Sequence, residues 1–165
     1  MTTNTPDTPA PSSASLPAGC IVPSDAQIEV ACANLIYRFE ITPSYLKVFD
    51  KHTGVLAFNS SLLGYSTDCT YDEIVEAWVI RQLPFCSTDC PHSLTRQLLA
   101  KVEAAGTRAT FWQAFALLWH GTEGEDFLPI PFEVFSALQA PPKVIAVACL
   151  LALDAWPSTW RVPTP

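Results

Sequence analysis

The sequence predicts an all-α protein: one helical bundle domain of about six helices behind a disordered N-terminal tail. Three observations predict it. Apolar residues recur at intervals of three and four through most of the chain, two segments open with capping boxes, and Pro or Gly stands at most of the boundaries between segments.

Residues 1–19 are mostly Thr, Ser, Pro and Ala with a single charged side chain. They cannot bury enough apolar area to offset the entropy of ordering, so they read as the tail. Ser24-Asp25-Ala26-Gln27 has the capping-box form, and Ile28, Ala31, Cys32, Leu35, Ile36 and Phe39 then share one face, which predicts a first helix over 24–40. Thr42-Pro43 ends it. Ser44 to Phe49 reads as a short second helix before the His52-Thr53-Gly54 turn. Val55-Leu56-Ala57-Phe58 fits a strand or a helical turn, and the Asn-Ser-Ser and Gly-Tyr-Ser signals that follow make 55–68 a loop.

Thr70-Tyr71-Asp72-Glu73 is a second capping box, and Ile74, Ala77, Trp78 and Arg81 carry its helix to Pro84. After a loop over 85–92, a helix from His92 or Ser93 places Leu94, Leu98, Leu99 and Val102 on its buried side and stops at Gly106. Phe111, Trp112, Phe115, Leu118 and Trp119 form the aromatic stripe of the next helix, which ends at Gly121. An acidic loop follows over 121–126, then a short helix from Pro131 to Leu138. Pro141-Pro142 opens the last helix, Lys143 to Trp156, which is apolar on nearly every side and reads as the most enclosed one, or one that docks on another subunit. The domain therefore spans 20–157, and 158–165 is an extended C-terminal tail with an exposed Trp160.

Hydrophobic residues make up 49% of the chain and charged residues 15%, too few charges to coat a monomer generously, so self-association is expected. A formal charge of −7 excludes an isolated nucleic-acid module with a broad basic face; any such contact has to be local. The six cysteines and the lack of a signal-peptide pattern imply reduced thiols and a cytoplasmic setting. The longest apolar run, Val144 to Leu153, is about half of the ~20 residues a membrane crossing needs, so no membrane insertion is expected.

Metal-ligating types gather in one place, Cys86-x3-Cys90-x-His92, with Cys69 upstream. Structural zinc sites usually pair cysteines two residues apart and repeat the pair, which this stretch does not do, so no metal or cofactor is expected and these four residues are weak candidates. Cys90 with His92 or His120 could form a nucleophile pair only with a lowered thiol pKa and an oxyanion pocket. No glycine-rich phosphate loop, G-x-S-x-G elbow or paired-His motif occurs, and the expectation is that the protein is not an enzyme. His52 in its turn and His120 at a helix end read as capping residues.

Ser93-Leu94-Thr95-Arg96, followed by Leu99, Val102, Thr107, Arg108, Phe111, Ala114, Ala116 and Trp119, resembles the central helical segment of the coat proteins of flexible filamentous plant viruses, the potexvirus-like group. Pro23-Ser24-Asp25 leading into Ile28, Val30, Ala31 and Leu35 is similar to that family's first core helix. The resemblance implies a helical coat subunit, found in the virion, that self-associates around single-stranded RNA, with Arg96 as a phosphate contact and Arg108 and Lys143 as further ones. Such contacts position RNA without reading its sequence. The alternative is a small helical interaction or viral accessory protein with an apolar groove for a host protein, lined by Trp112, Trp119 and Trp156.

Overall fold

The computed structural model describes residues 21–82, 94–120 and 140–163. Its elements run α1 (Asp25–Ile36), β1 (Tyr37–Ile41), β2 (Tyr45–Asp50), β3 (Leu56–Ser61), α2 (Tyr71–Gln82), α3 (Leu94–Ala105), α4 (Arg108–His120) and α5 (Pro142–Ala152). The all-α expectation is therefore wrong: five helices accompany a three-stranded antiparallel sheet of order β1-β2-β3. The expected tail over 1–19 and the expected helix over 131–138 lie outside the described residues.

The capping box at Ser24 forms as its residues require. Ser24 Oγ accepts from the Gln27 N–H at 3.2 Å, and Gln27 Oε1 accepts from the Ser24 N–H at 2.9 Å. Replacing Ser24 with Ala is expected to cost about 1 kcal/mol, because one N–H of the first turn loses its partner. An unchanged urea midpoint for that variant would show that the cap contributes nothing. Ile28, Cys32, Ala33 and Ile36 form the buried face of α1.

The helix stops at Ile36 rather than near residue 40, and Tyr37 takes an extended conformation, φ −117° and ψ 153°. From there Tyr37 and Phe39 point inward while Arg38 is exposed. Phe39 satisfies both a 3.6-residue and a two-residue period, which is why the helical spacing ran past the true end. Ser44 to Phe49, expected as a helix, is β2, with Leu46 and Val48 buried on the same face as Phe39. Spacing over six residues cannot separate these states; pairing with β1 decides it. Residues 56–61, expected as loop, form β3.

Trp78 of α2 locks the sheet to the helices. Its ring lies edge-on to Phe39 at 5.9 Å and Phe58 at 5.4 Å, and its Nε1 donates to Ser60 Oγ at 2.8 Å. The box at Thr70 starts this helix: the Thr70 N–H and hydroxyl donate to Glu73 Oε2 at 2.7 and 2.9 Å, holding that exposed carboxyl below its ordinary pKa.

The remaining helices follow the sequence closely. Leu94, Leu98, Leu99 and Val102 are the buried side of α3, which ends where Gly106, at φ +69°, lets the Thr107 N–H reach the Val102 carbonyl at 3.2 Å. Phe111, Trp112, Phe115 and Ala116 of α4 are buried. α5 packs against α1, α3 and α4, and every residue from Ile145 to Leu150 is buried. It ends with Asp154 at φ 52°, tolerable for a short polar side chain, as the Ala155 N–H donates to the Leu150 carbonyl at 2.8 Å. Beyond it, Trp160 is half-buried against the core rather than exposed, and residues 21 and 160 form a parallel bridge. No helix among the described residues is long and apolar enough to cross a membrane.

Candidate functional site

Among the described residues, strand β3 presents outward backbone groups that no neighbouring element covers. Thr53 and Gly54 turn the chain back from β2, and Asp50 fastens that turn. Its Oδ1 accepts from the N–H groups of His52 and Thr53, both at 2.8 Å, and from the Thr53 hydroxyl at 3.1 Å. These bonds, the Thr53 N–H first, hold the Asp50 carboxyl below its ordinary pKa against the opposing effect of burial. Gly54 sits at φ +71°, which the turn requires.

In an antiparallel ladder, alternate residues turn their N–H and C=O toward opposite neighbours. The Leu62 N–H donates to the Ser44 carbonyl at 2.9 Å, so Leu46 with Ser60 and Val48 with Phe58 are the pairs that exchange bonds. Asn59 and Ser61 therefore direct their backbone groups away from β2. Phe49 pairs with Leu56, which leaves Ala57 in a bulge at the same edge.

The opposite edge is partly covered. The Thr42–Tyr45 and Lys51–Ile36 bonds fix the alternation of β1 so that the backbone N–H and C=O of Tyr37 and Phe39 face away from β2. The Tyr37 N–H is taken by the Ala33 carbonyl at the end of α1, and the Phe39 carbonyl accepts the Tyr71 hydroxyl at 3.1 Å. Arg38 and Glu40 add an ion pair along that strand, with the Arg38 guanidinium 4.6 Å above the Phe49 ring.

Several side chains along and beside β3 are large, apolar and exposed: Tyr45 46%, Val55 62%, Leu56 44%, Phe58 38% and Leu63 93%. From Thr53 to Thr67 the chain carries no Asp, Glu, Lys or Arg. Natural edge strands are usually blunted by Lys, Pro or a covering element. Among the described residues, β3 has none of these apart from the bulge at Ala57.

The residues singled out from the sequence do not converge. Arg96 is exposed on α3, Arg108 is ion-paired with Glu103, and Lys143 is ion-paired with Asp25, so the latter two cations are each neutralised locally. Cys69 is half-buried, while Cys86, Cys90 and His92 lie outside the described residues. Among the described residues no group of three His, Cys, Asp or Glu is placed to hold a metal. Trp112 is 1% exposed within the core, Trp119 stacks on Phe115 at 5.9 Å, and Trp156 donates through Nε1 to the Trp160 carbonyl at 3.1 Å. Trp112 belongs to the buried core, and Trp119 and Trp156 are partly buried against it.

A groove of about 640 Å³ lies between the end of α1, the β2–β3 turn and α3, with Leu35, Ala100, Ala104 and Leu153 as apolar walls and His52 and Lys101 at its margin. It brings together no nucleophile, base and oxyanion donor. The sequence hides the edge of β3 because the Asn-Ser-Ser and Gly-Tyr-Ser signals mark its residues as loop; the missing charge over 53–67 is the available signal. No family model, curated protein or solved structure matches the chain.

Proposed function

We propose that this chain is a non-catalytic protein–protein interaction subunit that works by adding a strand to the open edge of β3. The observation that carries this reading is the asymmetry of the sheet among the described residues: on one edge α1 and Tyr71 take backbone groups of β1, and the other presents unpaired backbone beside exposed apolar side chains. Backbone hydrogen bonds supply affinity in such docking, and alternate side chains supply selectivity.

The filament-coat reading takes second place. A coat subunit needs a basic groove for RNA and two unlike complementary surfaces for head-to-tail growth. Arg108 and Lys143 are each tied to an acid, and the chain carries −7 overall.

Amide hydrogen exchange on the dilute chain tests the proposal. The Asn59 and Ser61 amides are expected to exchange orders of magnitude faster than those of Leu46 and Val48 in the central strand. Equal protection at both would mean the β3 edge is covered and would end the reading. In a parallel titration, single-stranded RNA at physiological salt is expected to leave the chain unbound. Salt-sensitive binding that weakens on Arg96→Ala would restore the coat protein as the better account.

A further inference from the structure

We infer that the strand docking on β3 is the β3 of a second copy of this chain, paired antiparallel about a two-fold axis to give a closed dimer with one six-stranded sheet. The inference rests on the open-edge reading and names its partner.

Charge favours this occupant. Two identical chains of −7 repel each other wherever charged surfaces meet, and residues 53–67 are a fifteen-residue stretch without Asp, Glu, Lys or Arg. The nearest charged side chain on the outer face is Lys47, which lies in register with Asn59 on one side and with Glu40 on the other.

Symmetry favours it as well. Antiparallel pairing of a strand with itself uses the same residues on both sides, so Asn59 and Ser61 satisfy the corresponding groups of the second copy. On the other side of the sheet the Ala33 carbonyl and the Tyr71 hydroxyl already take the Tyr37 N–H and the Phe39 carbonyl of β1, which makes that edge the less available one for a further strand. The product is a dimer closed about the two-fold axis.

Size sets the footprint. A specific interface needs on the order of 1,000 Å² of buried surface, more than six paired residues supply from their backbone. Tyr45, Val55, Phe58 and Leu63 must therefore be covered along with the strand. They are the exposed apolar side chains that flank it.

Sedimentation equilibrium of the full chain across the micromolar range, for the wild type and for Asn59→Pro, tests this. Proline removes an outward N–H that the monomer does not use and that a paired strand needs. The expected result is twice the monomer mass for the wild type and the monomer mass for the variant, with unchanged circular dichroism. If Asn59→Pro fails to fold, Asn59→Lys keeps the N–H and sets two like charges beside the two-fold axis; it should also be monomeric.

A dimer that survives in the folded variant overturns the inference, because the copies then meet through another face. A monomeric wild type also overturns it, and exchange of the Asn59 and Ser61 amides in that monomer separates the two levels. Fast exchange leaves the edge open to a different protein, whereas slow exchange removes the open-edge reading as well.

Discussion

Replacing Trp78 with Ala is expected to destabilise the protein by about 3–5 kcal/mol, a large share of the roughly 5–15 kcal/mol that holds a domain of this kind folded. Trp78 is 1% exposed and is the joint between α2 and the inner face of the sheet. The substitution removes the two ring contacts with Phe39 and Phe58 and leaves a cavity between layers that relax only partly. It also removes the donor that Ser60 receives at 2.8 Å. Trp78→Phe keeps a ring in the layer and loses mainly that hydrogen bond and some volume, so its cost should be about 1–2 kcal/mol. Urea titration followed by circular dichroism measures both. A Trp78→Ala variant with the wild-type midpoint would show that the sheet is not held by this helix, and the edge assigned to β3 would lose its support.

Alkaline pH should produce the second large effect. Burial raises the pKa of Cys32, with a smaller contribution from Glu29, and burial raises that of Cys149, with a smaller contribution from Cys32. Both thiols stay protonated in the folded state at a pH where the unfolded chain ionises. Their contribution to stability is therefore complete below the ordinary thiol value, about 8.5, and is lost progressively as pH rises above it toward the folded-state values. Each thiol should lower stability by about 1.4 kcal/mol per pH unit in that window, and the pair by about 2.7 kcal/mol. Denaturant midpoints measured from roughly pH 8 to pH 10.5 should fall steeply for the wild type and much less for the Cys32→Ala, Cys149→Ala double variant. Equal slopes in the two proteins would mean that the thiols are not enclosed between α1 and α5 in solution.

The helices with long apolar faces were legible because each carries its own start, period and stop. Ser24 with Gln27, Thr70 with Glu73, and Gly106 act within a few residues of themselves, so chain-local chemistry specifies them. The enclosure of α5 was legible for the same reason: a segment with apolar residues on every side has no face to give to water. The sheet was not legible. Tyr37–Ile41 continues the spacing of α1 through Phe39, and Tyr45–Asp50 is too short for a helical and a strand period to diverge.

The candidate site was less legible than the fold. The coat-protein resemblance implies Arg96, Arg108 and Lys143 as phosphate contacts, yet Glu103 and Asp25 pair with two of them through contacts of different range. The Arg108 partner is five residues away and within reach of a local reading, whereas the Lys143 partner is more than a hundred residues distant. Trp112 was read as part of an aromatic stripe, a pattern that core and groove share; its burial separates them.

By itself, the sequence determined the amphipathic helices, their caps and the charge-free stretch over 53–67, because these depend on neighbours along the chain. Only the tertiary structure decided that residues 37–61 form strands and that β3 is the edge left open. A strand's hydrogen bonds are made with other segments, so its existence and its uncovered side depend on which segments lie beside it.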